Sequence, residues 1–480
     1  MSTVISPYKN IRRLILCNYA KKVIVSFEEI QTLIDLSSMK RVKRLNIKWI
    51  PGLKSNQILL PRQVDSPSST VLHFGAWKKK MQVGFSENQP QDSIGLSVAL
   101  KNEVTMPDTL PYEMYTAEKG LHLGPVIALL VSVKGLTPEL LNEYRCYFTN
   151  YQSIKGLIYL CSVNGINPRN KTVEGYYYNP KAEGDNAPWT KGTFPYPGVV
   201  YRRIRINKSS LYDDLNVHTN RKIFNPYYLN KWELWETTRS SPLIRGHMPL
   251  TKLLDNMQTL NKMLALYGSV YLKPVNGSMG QGIMKLEKTL GGYLFMSRDT
   301  GMSFADNAVK AWAALRRMQK GKNYLIQQSV ALKYQNKNVD FRVIMQKDGS
   351  QQWTCSGVIA RFGEDGKFYT NDVSSISLGR EALRTVLQLN DEETARKEEE
   401  IIKICTSACQ LIDHKYGTFG DVGIDVTVDS DLKVWILEIN SRHHHTMPSY
   451  LKEDPQMYNR VLARPFEFAK AWAGFTAENS

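Results

Sequence analysis

Two apolar patterns divide the chain. Over the first ~115 residues, short apolar stretches such as Val23–Phe27 and Val71–Phe74 alternate with turn formers, the pattern of a small mostly-β domain. Met106-Pro-Asp-Thr-Leu-Pro111 reads as the linker that closes this unit, 1–115. From Leu121 to about Ile204, apolar strands at Pro125–Val131 and Gly156–Cys161 flank a helical stretch from Glu139 to Gln152. Strand, helix and strand in succession predict a parallel-sheet domain over 121–205. The remainder, 206–480, reads as α+β, with a lid over about 253–330 and a core over about 331–480. Within it, Glu398–Ile412 carries apolar positions at helical spacing and predicts a buried helix face holding Cys405 and Cys409 as core thiols. Pro465 predicts the first turn of a terminal helix.

Composition narrows the setting. The chain of 480 residues has length for two to four domains and a substantial core. No apolar run approaches the ~20 residues that span a bilayer, and Met1–Pro7 lacks the shape of a signal peptide. The six cysteines, Cys17, Cys146, Cys161, Cys355, Cys405 and Cys409, are scattered, which predicts a reducing cytoplasm. Charge is uneven: residues 1–80 hold 15 Lys and Arg against 4 Asp and Glu, a surplus of 11 within the formal +17. Lys40–Arg44 and Lys78–Lys80 are the densest runs. Such a field suits an anionic polymer, a membrane surface or nucleic acid, and a solvated basic face is the competing reading. Zinc-finger spacing, RRM-like motifs and a homeodomain-like helix set are all missing, so nucleic acid has no support.

Four segments carry candidate chemistry. Gly423–Val428 and Val434–Asn440 read as two strands joined by the polar turn Asp429–Lys433. A four-residue loop, Ser430–Lys433, sets Asp425 opposite Glu438 with Asn440 on the same face. Ile424, Val426, Leu437 and Ile439 then point into a core. Two carboxylates and an amide suit a hard cation such as Mg²⁺; a plain solvent-facing hairpin is the alternative. Upstream, Ser269–Lys285 runs strand, Lys273, glycine-rich loop, strand, and Gly277, Gly280 and Gly282 let the backbone approach a polyphosphate. The loop fits neither the Walker nor the Rossmann pattern. Tyr324–Val330 ends in Gln327 and Gln328, polar groups that can border an adenine edge. Asp340-Phe-Arg342 lies on a further strand, where Arg342 can fork onto a terminal phosphate.

Taken in chain order, from Lys273 and the glycine-rich loop through Gln327-Gln328 and Asp340-Phe-Arg342 to Asp425 and Glu438-x-Asn440, the motifs resemble the ATP-grasp superfamily. Asn230-Lys231-Trp232 followed by His247–Thr251 resembles the segment bearing that fold's first nucleotide-binding lysine. Leu123–Leu130, Gly175–Tyr178 and Phe194–Ile204 are similar to the YheC/YheD group, described as endospore coat-associated, with the resemblance running from about Leu121 to the end. It implies two α+β subdomains clamping ATP, preceded by the parallel-sheet domain and the small β domain. By the same resemblance, Lys231 and Lys273 contact the α- and β-phosphates and the base, and Asn276, Gly277, Ser278, Gly280 and Gly282 close over the β- and γ-phosphates. Gln327 and Gln328 border adenine, Arg342 contacts the γ-phosphate, and Asp425, Glu438 and Asn440 hold Mg²⁺, with Mn²⁺ as an alternative. Arg361 is the candidate for holding an acylphosphate or a substrate carboxylate.

The implied activity is a carboxylate–amine ligase working through an acylphosphate, with both substrates unidentified. An ATP-grasp kinase and a coat protein that binds ATP without turnover are the alternatives. No nucleophile elbow or triad competes with this. The implied place is the mother-cell cytoplasm, associated with the endospore coat. The chain departs from many relatives after Asn440, where Ser441-Arg-His443-His444-His445-Thr stands in place of an early proline. The expectation for the histidines is a loop beside the active site that touches substrate; an inert loop and a structural zinc site rank behind it.

Overall fold

The structure, a computed structural model, describes residues 41–476 apart from 63, 65, 87–89, 185–186, 207, 278–279 and 371. The strand expected at Val23–Phe27, Cys17 and Ser278 lie outside the described residues. Four sheets follow along the chain.

Among the described residues seven strands close a barrel in the order Arg41–Ile50, Ser93–Ser97, Gln57–Leu60, Trp77–Phe85, Ser69–Phe74, Gly120–Gly124, Tyr112–Ala117. Alternation decides its inside: Leu72 and Phe74 are buried while their neighbours are not. The segment Met106–Pro111 is not a linker. Met106 and Leu110 are buried in the barrel core, and the next two strands return to the barrel, which takes in Gly120–Gly124 beyond residue 115.

The central domain also departs from expectation. Val126–Ser132 pairs in parallel with Leu157–Asn167 and Val199–Arg202, as the strand–helix–strand pattern predicts. The sheet is nevertheless mixed, because Leu157–Asn167, Thr172–Tyr178 and Trp189–Pro195 form an antiparallel meander. Short connections permit that pairing, whereas parallel neighbours need a long crossover.

The lid sheet contains Thr251–Leu253, Tyr324–Gln328, Ser269–Pro274, Met284–Thr289, Gly292–Ser297 and Gly301–Ala305, backed by helices Met257–Tyr267 and Ala308–Gln319. The core sheet orders Val373–Leu378, Trp353–Gly363, Lys337–Lys347, Asp421–Val428 and Val434–Asn440, all antiparallel.

One face of the core sheet, with Phe341, Val343, Ile424 and Val426, packs on helix Asp391–Tyr416 through Ile401, Cys405, Ala408 and Ile412. That spacing is one face of a 3.6-residue period. A capping box between Asn390 and Glu393 starts the helix, a device worth about 1 kcal/mol. Burial pushes the Cys405 and Cys409 thiols well up, so iodoacetamide at pH 8 is expected to leave both unmodified until the protein is unfolded. Mass spectrometry of native and denatured samples checks this.

The last helix is Pro455–Trp472, so Pro465 lies inside it rather than in its first turn. Asp454 caps Met457 and Pro455 takes the first position, where a missing N–H costs nothing. The helix is a seam element: Met457 and Val461 pack on Ile344 and Ile359 of the core sheet, while Phe466, Phe468 and Ala469 join the central core.

Candidate active site

The other face of the core sheet turns toward the lid, and a cleft opens between them. Its floor comes from register. Arg342 pairs with Asp425, and Asp425 with Glu438, so a row of charged side chains crosses three strands. The Asp425–Glu438 pairing expected from sequence is present, but a five-residue connection and a bulge produce it. The bulge falls between Asp425 and Val426 and leaves Leu437 the extra residue. Leu437 therefore lines the cleft instead of the core, and Ile436 takes the buried place.

Lys231 opens the helix Lys231–Arg239, whose N-terminus carries the positive end of the helix dipole. Its Nζ donates to the Gly277 carbonyl at 2.8 Å and stands 3.0 Å from Glu438 Oε1, bridging glycine loop and hairpin. Lys273 Nζ donates to Gln327 Oε1 at 2.7 Å, and Gln327 Nε2 to Thr251 Oγ1 at 2.9 Å. The Gln328 side chain accepts from the Leu250 N–H at 3.2 Å. Gly280 and Gly282 both hold positive φ. A Cβ on Gly282 would stand 2.9 Å from the Tyr324 hydroxyl and 3.0 Å from Pro274, so this turn requires glycine.

The arginines hold carboxylates. Arg342 forks onto Asp425 at 2.6 and 3.2 Å. Arg361, 6% exposed, forks onto Asp340 at 2.7 Å through both nitrogens and reaches Asp425 at 3.2 Å. Thr370 donates its hydroxyl to Asp340 as well. Burial would raise the pKa of Asp425, but Arg342 and Arg361 hold it down to about 2. Arg361 is thus committed to two buried acids, a state that competes with holding a substrate.

Lys231, Lys273, Gly277, Gly280, Gln327, Gln328, Arg361, Asp425 and Glu438 line the cleft, with Asp340, Thr370, Phe368 and Tyr369 beside them. Arg342 is outside that lining and is joined to it through Asp425, and Asn276 and Gly282, at the two ends of the loop, are outside it as well. Asn440 pairs with Gly423, two register positions beyond Glu438 and on the same face. The wall formed by Phe368 and Tyr369, which Tyr271 meets through a 2.5 Å hydrogen bond to the Phe368 carbonyl, has no sequence signal because it lies on a loop.

Burial inside the cleft lowers Lys273 to about 8, with Glu438 opposing and Lys231 assisting. On the phosphate-binding role that the resemblance implies for Lys273, a polyphosphate binds its protonated form. Affinity for Mg-ADP is therefore expected to be level below about pH 8 and to fall by about tenfold per unit above it. Calorimetry across pH 7 to 10 checks this, and Lys273→Met should flatten the profile.

A model of the YheC/D-like ATP-grasp family matches residues 220–471, which takes in the lid, the core sheet and every residue just described in the cleft. The chain belongs to the YheC/D-like ATP-grasp family. Endospore coat-associated protein YheD of Bacillus subtilis (strain 168) is 26% identical over 448 residues, covering 88% of this chain and 94% of that protein. Endospore coat-associated protein YheC of the same organism is 20% identical over 297 residues, 58% of this chain and 79% of that one. Among solved structures, the D-alanine-D-alanine ligase from Coxiella burnetii aligns at TM-score 0.41 and 10% identity, over 72% of this chain and 96% of that chain. No described helix is long and apolar enough to cross a membrane.

The histidine run behaves unlike the expected substrate loop. His443 and His445 are each 3% exposed and turned inward, and only His444 faces solvent. Asp421, which receives them, carries no sequence signal, and Arg203 lies within Phe194–Ile204 with nothing there to mark it as their partner.

Proposed function

We propose that the chain is an ATP- and Mg²⁺-dependent ligase joining a carboxylate to an amine through an acylphosphate. The observation that carries this is Lys231, one cation joined both to the glycine loop and to Glu438. Phosphoryl transfer asks a protein mainly for positioning and charge neutralisation, and the cleft offers both. In this reading Lys231 and Lys273 receive the α- and β-phosphates, and the loop from Asn276 to Gly282 covers the β- and γ-phosphates. Gln327 and Gln328 border adenine.

The acids fit a hard cation: Asp425 stays ionised down to about pH 2, and Glu438 lies directly across from it. Asp425, Glu438 and Asn440 would hold Mg²⁺, which supplies charge neutralisation at the phosphates when bound. In the same reading Arg342, which forks onto Asp425, exchanges that partner for the γ-phosphate. The transfer forms a bond from a carboxylate oxygen of the acceptor to the γ-phosphorus and releases ADP; an amine then displaces phosphate. The names of both curated relatives support a setting at the endospore coat.

Phosphorus NMR of Mg-ATP with the protein and a small-molecule extract of its source cells tests the proposal. Extract-dependent ADP and free phosphate are expected. A new phosphoester would mean a kinase, and unchanged ATP with broadened nucleotide signals would mean a coat protein that binds without turnover.

A further inference from the structure

The cleft is one end of the charged sheet face, and a buried cluster closes the other. Gln346 pairs with Asp421 four residues, roughly 13 Å, along the strands from the Arg342–Asp425 pair. Asp421 is fully buried, and five donors converge on its carboxylate. Oδ1 accepts from Gln346 Nε2 at 2.8 Å and from His443 Nε2 at 3.0 Å. Oδ2 accepts from the Tyr201 hydroxyl at 2.5 Å, Arg203 Nη1 at 3.0 Å and His445 Nε2 at 3.1 Å. Arg203 Nη2 also donates to the His443 carbonyl at 2.8 Å, and the Tyr147 hydroxyl meets His445 Nδ1 at 2.9 Å. Tyr147, Tyr201 and Arg203 come from the central domain; the acid, the amide and both imidazoles come from the core.

Asp421, His443 and His445 bring their ligand atoms together as an ion site would, with the two Nε2 atoms 3.3 Å apart. Charge decides against an ion. Arg203 already balances Asp421 inside a closed space, at 3.0 Å. Burial lowers both imidazoles, His445 to about 3, so they are neutral. A divalent ion would add two uncompensated charges beside a buried guanidinium, which nothing in the cluster offsets. Arg203 Nη1 also stands 3.3 Å from His445 Nε2, on the approach such an ion would need. The arginine fills the site.

The connections of this cluster matter more than its composition. Asp421 opens the strand that carries Asp425, Gln346 lies near the end of the strand that carries Arg342, and His443 follows Asn440 by three residues. Gly423 sits between cluster and cleft. A Cβ there would be 2.8 Å from His443 Cγ and 3.0 Å from Arg342 Cδ, so the imidazole and the arginine stem share one gap. We infer that Arg203 and Asp421 are positioning residues for the transfer centre. Their ion pair fixes the core strands that carry Arg342, Asp425 and Glu438 against the central domain, and so sets where an acceptor meets the γ-phosphate. The inference rests on the cleft being a phosphoryl-transfer site.

The test uses the full chain with Asp421→Asn, which keeps shape and removes charge, and with Arg203→Lys and Arg203→Met. Asp421→Asn is expected to keep its Mg-ADP affinity within about threefold and its KM for ATP unchanged, while turnover with active extract falls at least about tenfold. Arg203→Lys should recover at least about threefold over Arg203→Met. Amide exchange in 421–440 should rise about tenfold in Asp421→Asn, with the lid strands unchanged. Turnover like wild type in Asp421→Asn, or an equal loss of ADP binding, overturns the inference. So does one zinc per purified wild-type chain that His443→Ala removes. If wild type binds Mg-ADP but turns nothing over, the ligase reading fails on its own. Amide exchange then decides the cluster: unchanged protection of 421–440 overturns it, and raised exchange supports it.

Discussion

Glu438→Ala is expected to lower magnesium-dependent ATP turnover by about 10³-fold or more, because several kcal/mol of charge stabilisation depend on where the metal sits. Glu438 is half-exposed at the cleft and paired with Lys231 at 3.0 Å, so its loss opens no cavity in a core. Lys231 keeps its bond to the Gly277 carbonyl. ADP without metal should therefore bind the variant within about threefold of wild type, while the gain that magnesium gives wild type disappears. Calorimetry with and without Mg²⁺, beside a turnover assay, separates the two effects. A magnesium dependence that survives in the variant would remove Glu438 from the metal set.

Arg361→Ala is expected to destabilise the fold by about 3–5 kcal/mol, since it strands two buried acids that the guanidinium now joins. Among the described residues, Asp340 would keep only Thr370, and Asp425 only Arg342. Denaturant unfolding of the variant measures the loss directly. The alternative role, binding a substrate carboxylate, makes a different forecast: a raised KM for the acceptor with stability unchanged. Arg361→Lys separates them further, because a lysine retains the charge but loses the fork that meets both Asp340 oxygens. If the unfolding midpoint of Arg361→Ala matches wild type, the buried triad is not what this arginine is for.

What could be read from the chain depended on how local the physics was. The Asp425–Glu438 pairing was legible because a hairpin is decided within some sixteen residues by turn chemistry and alternation. Its bulge was not, so Leu437 was assigned to the wrong side. The glycine loop, Lys273 and the two glutamines were legible as local motifs, and the lid gathers all of them at one cleft. The antiparallel half of the central sheet escaped notice because apolar strands look alike whichever way their neighbours run. The Asp421 cluster escaped for a stronger reason. Arg203 and Asp421 are 218 residues apart, and each alone reads as an incidental polar residue beside a strand. Even the alternation in His443-His444-His445, two inward and one outward, has meaning only once the receiving acid is in place.

The double attachment of Lys231 changes what nucleotide arrival means. Its ammonium spans the Gly277 carbonyl and Glu438 and so ties the glycine loop to the metal-side hairpin. A phosphate that takes this lysine does not fill a gap; it trades places with a carboxylate. On the proposed role of Glu438 in holding Mg²⁺, that trade leaves the carboxylate unneutralised where the metal would sit. Metal and nucleotide should therefore be drawn in together, each making room for the other, and neither alone should bind as tightly as its contacts would suggest.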